Sequence, residues 1–275
     1  MRVSEGDKMT SRTVITAASN PKIKHVKALL SKGKVRRSEL CFAAEGVHLF
    51  EEAPDALLRE IYVAESFFKT SEEAVLKKNK PFYIVEDRLF EQISDTQSPQ
   101  GILCVVQIPY ADPMQLIDTD QPLFLLLDEI RDPGNLGTMI RTGEAAGVSG
   151  IWLTDGCADP YQPKVVRSAM GALYRVPVIS LNQTEEDLQQ MAQIWKDKGI
   201  RLYGTLLGAV QVYDKPDYRT GTAFVIGNES RGVSPEVLAL CDEQIRIPMR
   251  GQVESLNAAI AASLLMFEAA RQRRM

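Results

Sequence analysis

The sequence predicts an α/β protein in which a small α/β domain precedes a larger domain, built on a mostly parallel sheet with helices on both faces. Short apolar runs alternate with helical stretches in both halves of the chain. The run LFLLL at Leu123–Leu127 is continuously apolar, which is typical of a parallel strand buried on both faces. Residues 109–122 contain three prolines and three aspartates, which favours a linker. We therefore expect domains at residues 1–108 and 123–275.

The N-terminal half begins with a helix whose start is marked by Asn20-Pro21, a capping residue followed by a proline in the first turn. Ile23, Val26 and Leu29 give this helix an apolar face. Further helices are predicted at Gly46–Ala53 and Glu72–Lys78. The predicted strands are Leu40–Ala44, Ile61–Ala64, Phe82–Val85 and Ile102–Gln107.

In the C-terminal half, strands and helices alternate after Leu123–Leu127, as expected for an open parallel sheet. The further strands predicted are Ile151–Thr154, Val176–Ile179, Ile200–Thr205, Ala223–Ile226 and Gln244–Ile247. The helices predicted between and after them are Leu136–Ala146, Gln162–Ala169, Glu185–Lys198, Pro235–Leu240 and Ser255–Arg271.

The composition is that of an ordinary globular protein, with 275 residues, 45% of them hydrophobic and 25% charged. No apolar run is long enough to span a membrane, and the N-terminus lacks an apolar signal core, so we expect a cytoplasmic protein. The four cysteines are isolated, and the two histidines, His25 and His48, lie near no nucleophile motif. This pattern argues against a metal site, a disulfide framework and a histidine-dependent hydrolase.

A basic stretch, residues 20–37, reads NPKIKHVKALLSKGKVRR and contains no acidic residue, although the net charge of the chain is −4. Such a stripe on an acidic protein is either a phosphate-binding surface or a solvated helix face followed by a loop. The stretch by itself favours neither interpretation.

Three loops rich in glycine and polar residues follow predicted strands and lead into helices. They read DEIRDPGNLGTMIRTGEAAG after Leu123–Leu127, GNESRGVSPEV after Ala223–Ile226 and PMRGQVESLN after Gln244–Ile247. Ligands bind at the carboxyl ends of strands in open α/β sheets, so these loops form the candidate site. None carries the GxGxxG of dinucleotide-binding folds or the GKS/GKT of a P-loop, which disfavours a dehydrogenase and an NTPase.

Taken together, the three loops resemble the three signature motifs of the SpoU/TrmH family of RNA ribose 2′-O-methyltransferases, in the SPOUT superfamily. The matching stretches are DPGNLGTMIRTGEAAGV, IGNESRGV and IPMRGQVESLNAAIAASLLMFEA. VRSAMGALYRVPV resembles the family's intervening segment, and FAAEGVHLFEEA and SPQGILCVV resemble its small substrate-recognition domain. One departure is Ser230-Arg231, where many members have Gly-Glu, but Glu229 is retained.

The resemblance implies a deep trefoil knot in the C-terminal domain, which general rules of chain topology would have rejected, and an L30e-like N-terminal domain. It implies S-adenosylmethionine as cofactor, bound in the knot, and a homodimer whose active site is shared between both chains. It implies no metal and no membrane partner. By matching the motifs, the cofactor-binding residues would be Gly227, Ile247, Leu256, Thr205 and Met249.

The implied reaction is methyl transfer to a ribose 2′-hydroxyl, with the catalytic residues Arg141, Asn135, Glu229, Ser255 and Asn257. Arginine is almost always protonated, so we expect Arg141 to anchor a phosphate and stabilise developing alkoxide charge. Asn135 would position the ribose or Arg141, Glu229 would hold Arg141 or the backbone of a motif, and Ser255 and Asn257 would complete the polar network. RNA would bind mainly through the basic stripe, at Lys22, Lys24, Lys27, Lys34, Arg36 and Arg37. A further candidate is Arg167, in the second half of the chain.

The substrate implied is ribosomal RNA, most simply 23S, because the separate recognition domain resembles the ribosomal-RNA branch of the family. Three alternatives remain open at this point: a catalytically silent RNA-binding or ribosome-assembly factor of the same fold, a tRNA 2′-O-methyltransferase, and a base methyltransferase on the same scaffold. The presence of all five catalytic candidates favours the enzyme over the silent factor.

Overall fold

The computed structural model describes residues 13–181 and 185–274. The chain forms two compact units. The first extends to Pro109 and also contains Tyr161–Gly171, and the second contains Tyr110–Pro160 and the chain from Ala172 onward. Tyr161–Gly171 therefore packs with the first unit, although the division expected from the sequence assigns it to the C-terminal domain.

The helices within the described ranges are α1 (Pro21–Ser31), α2 (Gly33–Glu39), α3 (Val47–Glu52), α4 (Glu65–Lys77), α5 (Asp87–Ile93), α6 (Pro113–Ile117), α7 (Pro133–Ala146), α8 (Pro163–Ala169), α9 (Glu185–Asp197), α10 (Pro235–Leu238) and α11 (Ala258–Arg273), with a 3-10 turn at Ala172–Tyr174. The strands are β1 (Cys41–Glu45), β2 (Leu58–Ala64), β3 (Phe82–Val85), β4 (Ile102–Gln107), β5 (Leu123–Leu127), β6 (Gly150–Leu153), β7 (Val178–Ser180), β8 (Arg201–Thr205), β9 (Gln211–Val212), β10 (Thr222–Ile226) and β11 (Glu243–Arg246).

The first unit is built on a four-stranded mixed sheet in the order β1-β4-β2-β3. Strand β4 is antiparallel to both β1 and β2, whereas β2 and β3 are parallel. Helix α1 packs against this sheet through Ile23, Val26 and Leu29, the apolar face expected from the sequence. The predicted N-cap is also present, because the Asn20 side chain accepts a hydrogen bond from the backbone N–H of Lys22 and Pro21 occupies the first turn.

The second unit contains a seven-stranded sheet in the order β7-β6-β5-β10-β8-β11-β9, and all of its strand pairs are parallel. On one face, Phe124 and Leu126 pack against Trp195 of α9. Successive strand residues point to opposite faces, so Leu125 and Leu127 point to the other side, where α11 contacts β10 and α7. The parallel sheet with helices on both faces is thus confirmed.

Several short elements differ from the sequence expectations. Residues 109–122, expected to lack regular structure, contain α6, which Asp112 caps by accepting from the N–H of Met114. Helices α2 and α5 and the two-residue strand β9 were not expected. Helix α4 begins at Glu65 rather than Glu72, and it is kinked at Ser71. Five- to seven-residue helices span too few turns to show a 3.6-residue periodicity, which explains most of these differences.

Within residues 13–181 and 185–274, no helix is both long and apolar enough to cross a membrane.

Candidate active site

The three polar loops meet because their strands are neighbours in the sheet. Strands β5, β10, β8 and β11 are consecutive in the sheet order and parallel, so their carboxyl ends lie along one edge. The chain after β5 enters α7, the chain after β10 forms the loop Gly227–Val233, and the chain after β11 leads to α11. The sheet topology therefore brings together segments that are far apart in sequence.

A cavity of about 420 Å³ opens at this edge. Its wall is formed by the residues that follow β8, β10 and β11 and by the first half of α11. The wall includes every residue expected to bind the cofactor: Thr205, Gly227, Ile247, Met249 and Leu256. It also includes Leu206 and Leu207, which the motifs did not indicate, although an apolar pair directly after a predicted strand was a usable signal. The volume lies in the range of small-molecule sites, which is roughly 300–1,000 Å³.

Gly227 must be glycine for steric reasons. A Cβ atom at this position would lie 2.1 Å from the carbonyl carbon of Gly232 and 2.1 Å from the nitrogen of Val233, both in the backbone. The Gly232 N–H donates to the Asn228 carbonyl at 2.8 Å, which closes the loop on itself. The loop after β10 is thus a compact unit whose two ends touch.

Three of the expected catalytic residues form one chain of hydrogen bonds. The Asn257 amide donates to Oδ1 of Asn135 at 2.9 Å, and Nδ2 of Asn135 donates to Oε1 of Glu229 at 2.5 Å. Each residue comes from a different motif, and Glu229 lies on the cavity wall. Asn257 is also the N-cap of α11, since its Oδ1 accepts from the N–H groups of Ala259 and Ile260.

The other two expected catalytic residues do not join this chain. Ser255 lies on the cavity wall, is exposed, and precedes the start of α11. Arg141 is exposed on α7 and, among the described residues, makes no hydrogen bond with Asn135 or Glu229. It lies about 9 Å further along the helix than Asn135 and on a different face, because six residues advance a helix by one and two-thirds turns. Of the alternatives expected for Asn135 and Glu229, a contact with Arg141 is therefore absent among the described residues of a single chain, which leaves the ribose for Asn135 and a motif backbone for Glu229.

Two carboxylates after β5 contribute to the site although the motifs did not single them out. Asp128 is buried and accepts from the Thr154 hydroxyl and the Ser234 N–H. Glu129 pairs with Arg131 at 2.7 Å and with Arg231 at 3.6 Å. Arg231, the departure from the second motif, therefore faces an acidic partner in the same unit. A polar residue immediately after the buried run LFLLL was the available signal.

Cys157, which follows β6, has a structural role beside the loop after β5. Its thiol accepts from the N–H of Ile130 and donates to the Leu127 carbonyl, both at 3.3 Å. Burial raises the pKa of this thiol to about 11, so it is neutral at physiological pH and a poor nucleophile. Among the described residues, no group of three or more His, Cys, Asp or Glu side chains is suited to bind a metal ion.

The basic stripe divides into available and engaged side chains. Lys24, Lys34 and Arg37 are exposed and Lys27 is half-buried. Lys22 instead forms an ion pair with Glu60 and lies 4.7 Å from the centre of the Tyr83 ring, contacts that raise its pKa against the opposing effect of partial burial.

Arg36 corrects one sequence expectation. It is only 5% exposed and donates to the carbonyls of Leu29 and Leu30 at 2.5 and 3.2 Å, where α1 ends. It is therefore an internal cap for α1 rather than a surface cation. Arg167 of α8 is half-buried and pairs with Asp95 at 2.7 Å.

Two family models match the chain. The SpoU rRNA Methylase family model matches residues 122–267, and the model of an MRM3-like substrate binding domain matches residues 20–104.

Named relatives cover most of the chain. The 23S rRNA (guanosine(2553)-2′-O)-methyltransferase RlmP of Bacillus subtilis is 35% identical over 92% of this chain and 97% of its own length. The 23S rRNA (uridine(2479)-2′-O)-methyltransferase of Streptomyces viridochromogenes is 35% identical over 68% of this chain and 66% of its own length.

Solved structures also resemble most of the chain. The SpoU methyltransferase AviRb from Streptomyces viridochromogenes, in complex with the cofactor AdoMet, is 28% identical with a TM-score of 0.82, covering 93% of this chain and 99% of its own. An AdoMet-bound rRNA methyltransferase from Sinorhizobium meliloti is 28% identical with a TM-score of 0.79, covering 94% of this chain and 97% of its own.

Proposed function

The chain belongs to the SpoU rRNA methylase family, and from this premise we propose that it transfers a methyl group from S-adenosylmethionine to a ribose 2′-hydroxyl of 23S ribosomal RNA. The observation that carries the proposal is the chain of hydrogen bonds from Asn257 through Asn135 to Glu229. It joins residues of three separate motifs, and Glu229 at its end lies on the cavity wall, an arrangement that packing alone does not require. The related 23S rRNA methyltransferases support the choice of substrate class.

The cavity fits the proposed cofactor. Backbone groups of Gly227 and apolar side chains such as Ile247 and Leu256 form its wall, which suits the adenosine portion of the ligand. Glycine at position 227 lets the loop pack against its own backbone, so that the backbone of Gly227 forms part of this wall. When bound there, S-adenosylmethionine supplies the electrophilic methyl group of its sulfonium.

The polar residues would serve the RNA substrate. The Asn257–Asn135–Glu229 chain fixes the carboxylate of Glu229, which lies on the cavity wall, and the amide of Asn135 in one orientation, and this would orient the ribose for in-line attack. Ser255, exposed on the same wall, is available to contact the ribose. Arg141 would hold the target phosphate and stabilise negative charge on the attacking oxygen.

We further propose a homodimer with a shared active site. The sides of Ile260, Leu264 and Phe267 that face away from the core form one stripe on α11, with exposed fractions of 51%, 39% and 45%. An apolar stripe of this kind on a core helix favours association with an equal partner. Arg141, exposed on the neighbouring helix α7, would then act at the cavity of the other subunit, which explains why it contacts neither Asn135 nor Glu229 in its own chain.

RNA would bind the first unit through Lys24, Lys27, Lys34 and Arg37, which are the predicted RNA-binding residues of the basic stripe that have no internal partner described above. Lys22, Arg36 and Arg167 are engaged within the unit, and we assign them no phosphate contact. We also propose that the second unit contains a trefoil knot. The cavity that the segments after β8, β10 and β11 share with α11 supports this proposal. The proposed substrate also supports a cytoplasmic site of action.

The function is tested by titrating the protein with S-adenosylmethionine in a calorimeter and by assaying methyl transfer to 23S RNA that lacks the modification. We expect binding and the methylation of one ribose, mapped as a 2′-O-methyl position. No binding at millimolar cofactor would refute the enzyme and leave a silent RNA-binding factor, and methylation of transfer RNA alone would overturn the substrate class.

Arg141→Ala tests the role of the exposed arginine. We expect methyl transfer to fall by at least about 100-fold with cofactor affinity within about threefold of wild type, because the guanidinium is proposed to act on the transition state. Arg219→Ala, an exposed arginine of the same unit that lies outside the cavity wall, serves as the matched control. An equal loss of affinity and rate in Arg141→Ala would contradict the assigned role.

A further inference from the structure

Asp128, the first residue after β5, is a buried carboxylate that links two loops. Its exposed fraction is 3%. Oδ1 accepts from the Thr154 hydroxyl at 3.0 Å, and Oδ2 accepts from the backbone N–H of Ser234 at 2.7 Å. Buried carboxylates are rare unless their oxygens are hydrogen-bonded, and here each oxygen has a donor from a different segment. Thr154 directly follows β6, and Ser234 directly follows the loop Gly227–Val233.

Glu129, the next residue, holds the other end of the same loop. Its carbonyl accepts from Nδ2 of Asn228 at 3.0 Å, and its N–H donates to Oγ1 of Thr154 at 3.2 Å. Its φ of +52° lies in the left-handed region, which residues other than glycine rarely adopt. This backbone turn lets two consecutive residues reach the two ends of one loop.

The loop itself is closed by internal bonds. Oδ1 of Asn228 accepts from the N–H groups of Ser230 and Arg231, and the Asn228 carbonyl accepts from Gly232. Because the loop holds its own shape, its place on the sheet edge depends on its anchored ends. Those ends set where Glu229 and the backbone of Gly227 meet the cavity.

We propose that Asp128 and Glu129 form a loop clamp that positions the loop Gly227–Val233 as a wall of the cofactor site. Asp128 is a positioning residue, since it acts on the cavity through Ser234 and the loop and does not itself line the cavity. The inference rests on the proposed function for the identity of the ligand, S-adenosylmethionine. The holding of the loop is a property of the free protein and can be measured without any ligand.

The test compares Asp128→Ala and Asp128→Asn with wild type in cofactor calorimetry and in amide hydrogen exchange of the ligand-free protein. The alanine variant lacks both acceptors, so we expect faster exchange at residues 228–234 and an affinity at least about tenfold weaker. The asparagine variant offers one acceptor oxygen where the carboxylate offers two, so we expect an intermediate loss of about threefold. If the alanine variant does not fold, the asparagine variant alone tests the loop clamp, by cofactor calorimetry and by hydrogen exchange at residues 228–234.

Asp242→Ala is the matched control. Asp242 also accepts from a backbone N–H, that of Leu202 at 2.9 Å, in the same unit but away from the cavity wall. We expect the Asp242→Ala substitution to lower thermal stability without changing cofactor affinity. Wild-type affinity in both Asp128 variants, or unchanged exchange at residues 228–234, would overturn the clamp. Absence of cofactor binding by the wild-type protein would instead refute the proposed function, while the exchange measurement would still decide whether Asp128 holds the loop.

Discussion

At the scale of single residues, the site depends on side chains whose partners lie in distant segments. Asn135 donates to Glu229 through Nδ2 and accepts from Asn257 through Oδ1, so the two polar atoms of its amide bond to two different segments. Each of these side chains is a plausible helix cap or surface residue when viewed alone. The network makes them sensitive to changes that leave hydrogen-bonding capacity almost intact.

The first prediction concerns Gly227. In Gly227→Ala the new methyl group would meet the backbone of Gly232 and Val233, which cannot move aside as a flexible side chain can. We expect a loss of about 1–3 kcal/mol in the free energy of unfolding, together with weaker cofactor binding. Chemical denaturation and calorimetry measure the two effects. Gly208→Ala is the control, since a Cβ there meets no atom within 4 Å; equal stability of the two variants would contradict the prediction.

The second prediction separates the two roles of Asn257. In the variant Asn257→Asp, the new carboxylate would still cap α11 but could not donate to Oδ1 of Asn135. We therefore expect stability within about 0.5 kcal/mol of wild type and a methyl-transfer rate lower by roughly 10- to 100-fold. Thermal unfolding and single-turnover methylation measure these quantities.

Alanine variants at two N-caps provide the control for this prediction. Asn20→Ala and Asn257→Ala each remove a capping side chain, and each should lose about 1 kcal/mol of stability. Only the second should slow methyl transfer, because Asn20 caps α1 in the first unit. Full activity in Asn257→Asp would show that the bond to Asn135 does not matter for the reaction.

At the scale of elements, α11 is unusual because it is apolar on most of its circumference. Ala262, Leu265 and Met266 are fully buried on one side, whereas Ile260 and Phe267 are half exposed on another. A helix that only closed the core of its own unit would present polar residues outward. The composition of this helix therefore fits burial on two sides, against its own sheet and against a second subunit.

The third prediction tests whether the exposed stripe on α11 contacts a second subunit. Leu264→Glu places a charge in the middle of the exposed stripe, so we expect the proposed dimer to dissociate into monomers, as measured by sedimentation equilibrium. Leu76→Glu is the control, because Leu76 is 45% exposed on α4 of the first unit and lies outside the α11 stripe. A dimer that survives the Leu264 change would place the interface elsewhere.

At the scale of the whole molecule, charge is distributed unevenly. The net charge is −4, yet the stretch from Asn20 to Arg37 carries no acidic residue. The structure leaves Lys24, Lys34 and Arg37 exposed on α1 and α2 while it engages Lys22 and Arg36 internally. If the proposed RNA surface lies at this patch, binding there should depend strongly on salt, because each contact with a phosphate releases a counterion.

The fourth prediction follows from this distribution. We expect combined replacement of Lys24, Lys27, Lys34 and Arg37 by alanine to weaken RNA binding and to reduce the slope of log K against log salt by up to about 2.8, or about 0.7 for each lost contact with single-stranded RNA. Filter binding at several salt concentrations measures the slope. Lys77→Ala, on the exposed surface of α4, should leave it unchanged. An unchanged slope in the fourfold variant would remove the stripe from the RNA surface.

The sequence by itself determined much of this protein. The apolar runs identified the long strands, with β3, β4 and β5 at their observed bounds, because a buried strand leaves an uninterrupted local pattern. The second and third motifs identified residues that line the cavity, and the first identified Asn135, which bonds to both of them. All three motifs follow strands of one parallel sheet. The N-cap at Asn20 was also visible as a local signal, whereas the last helix, predicted to begin at Ser255, begins at Ala258 with Asn257 as its N-cap.

Only the tertiary structure decided which of these residues touch one another. It linked Asn135 to Glu229 and Asn257, left Arg141 apart from them, and buried Arg36 in a position where the sequence shows a surface cation. It also showed that Asp128 bonds to Ser234 at the end of the loop Gly227–Val233, a contact that no sequence motif indicates. The physical reason is that hydrogen bonds and burial depend on positions brought together by the order of strands in the sheet, and local sequence patterns do not encode that order.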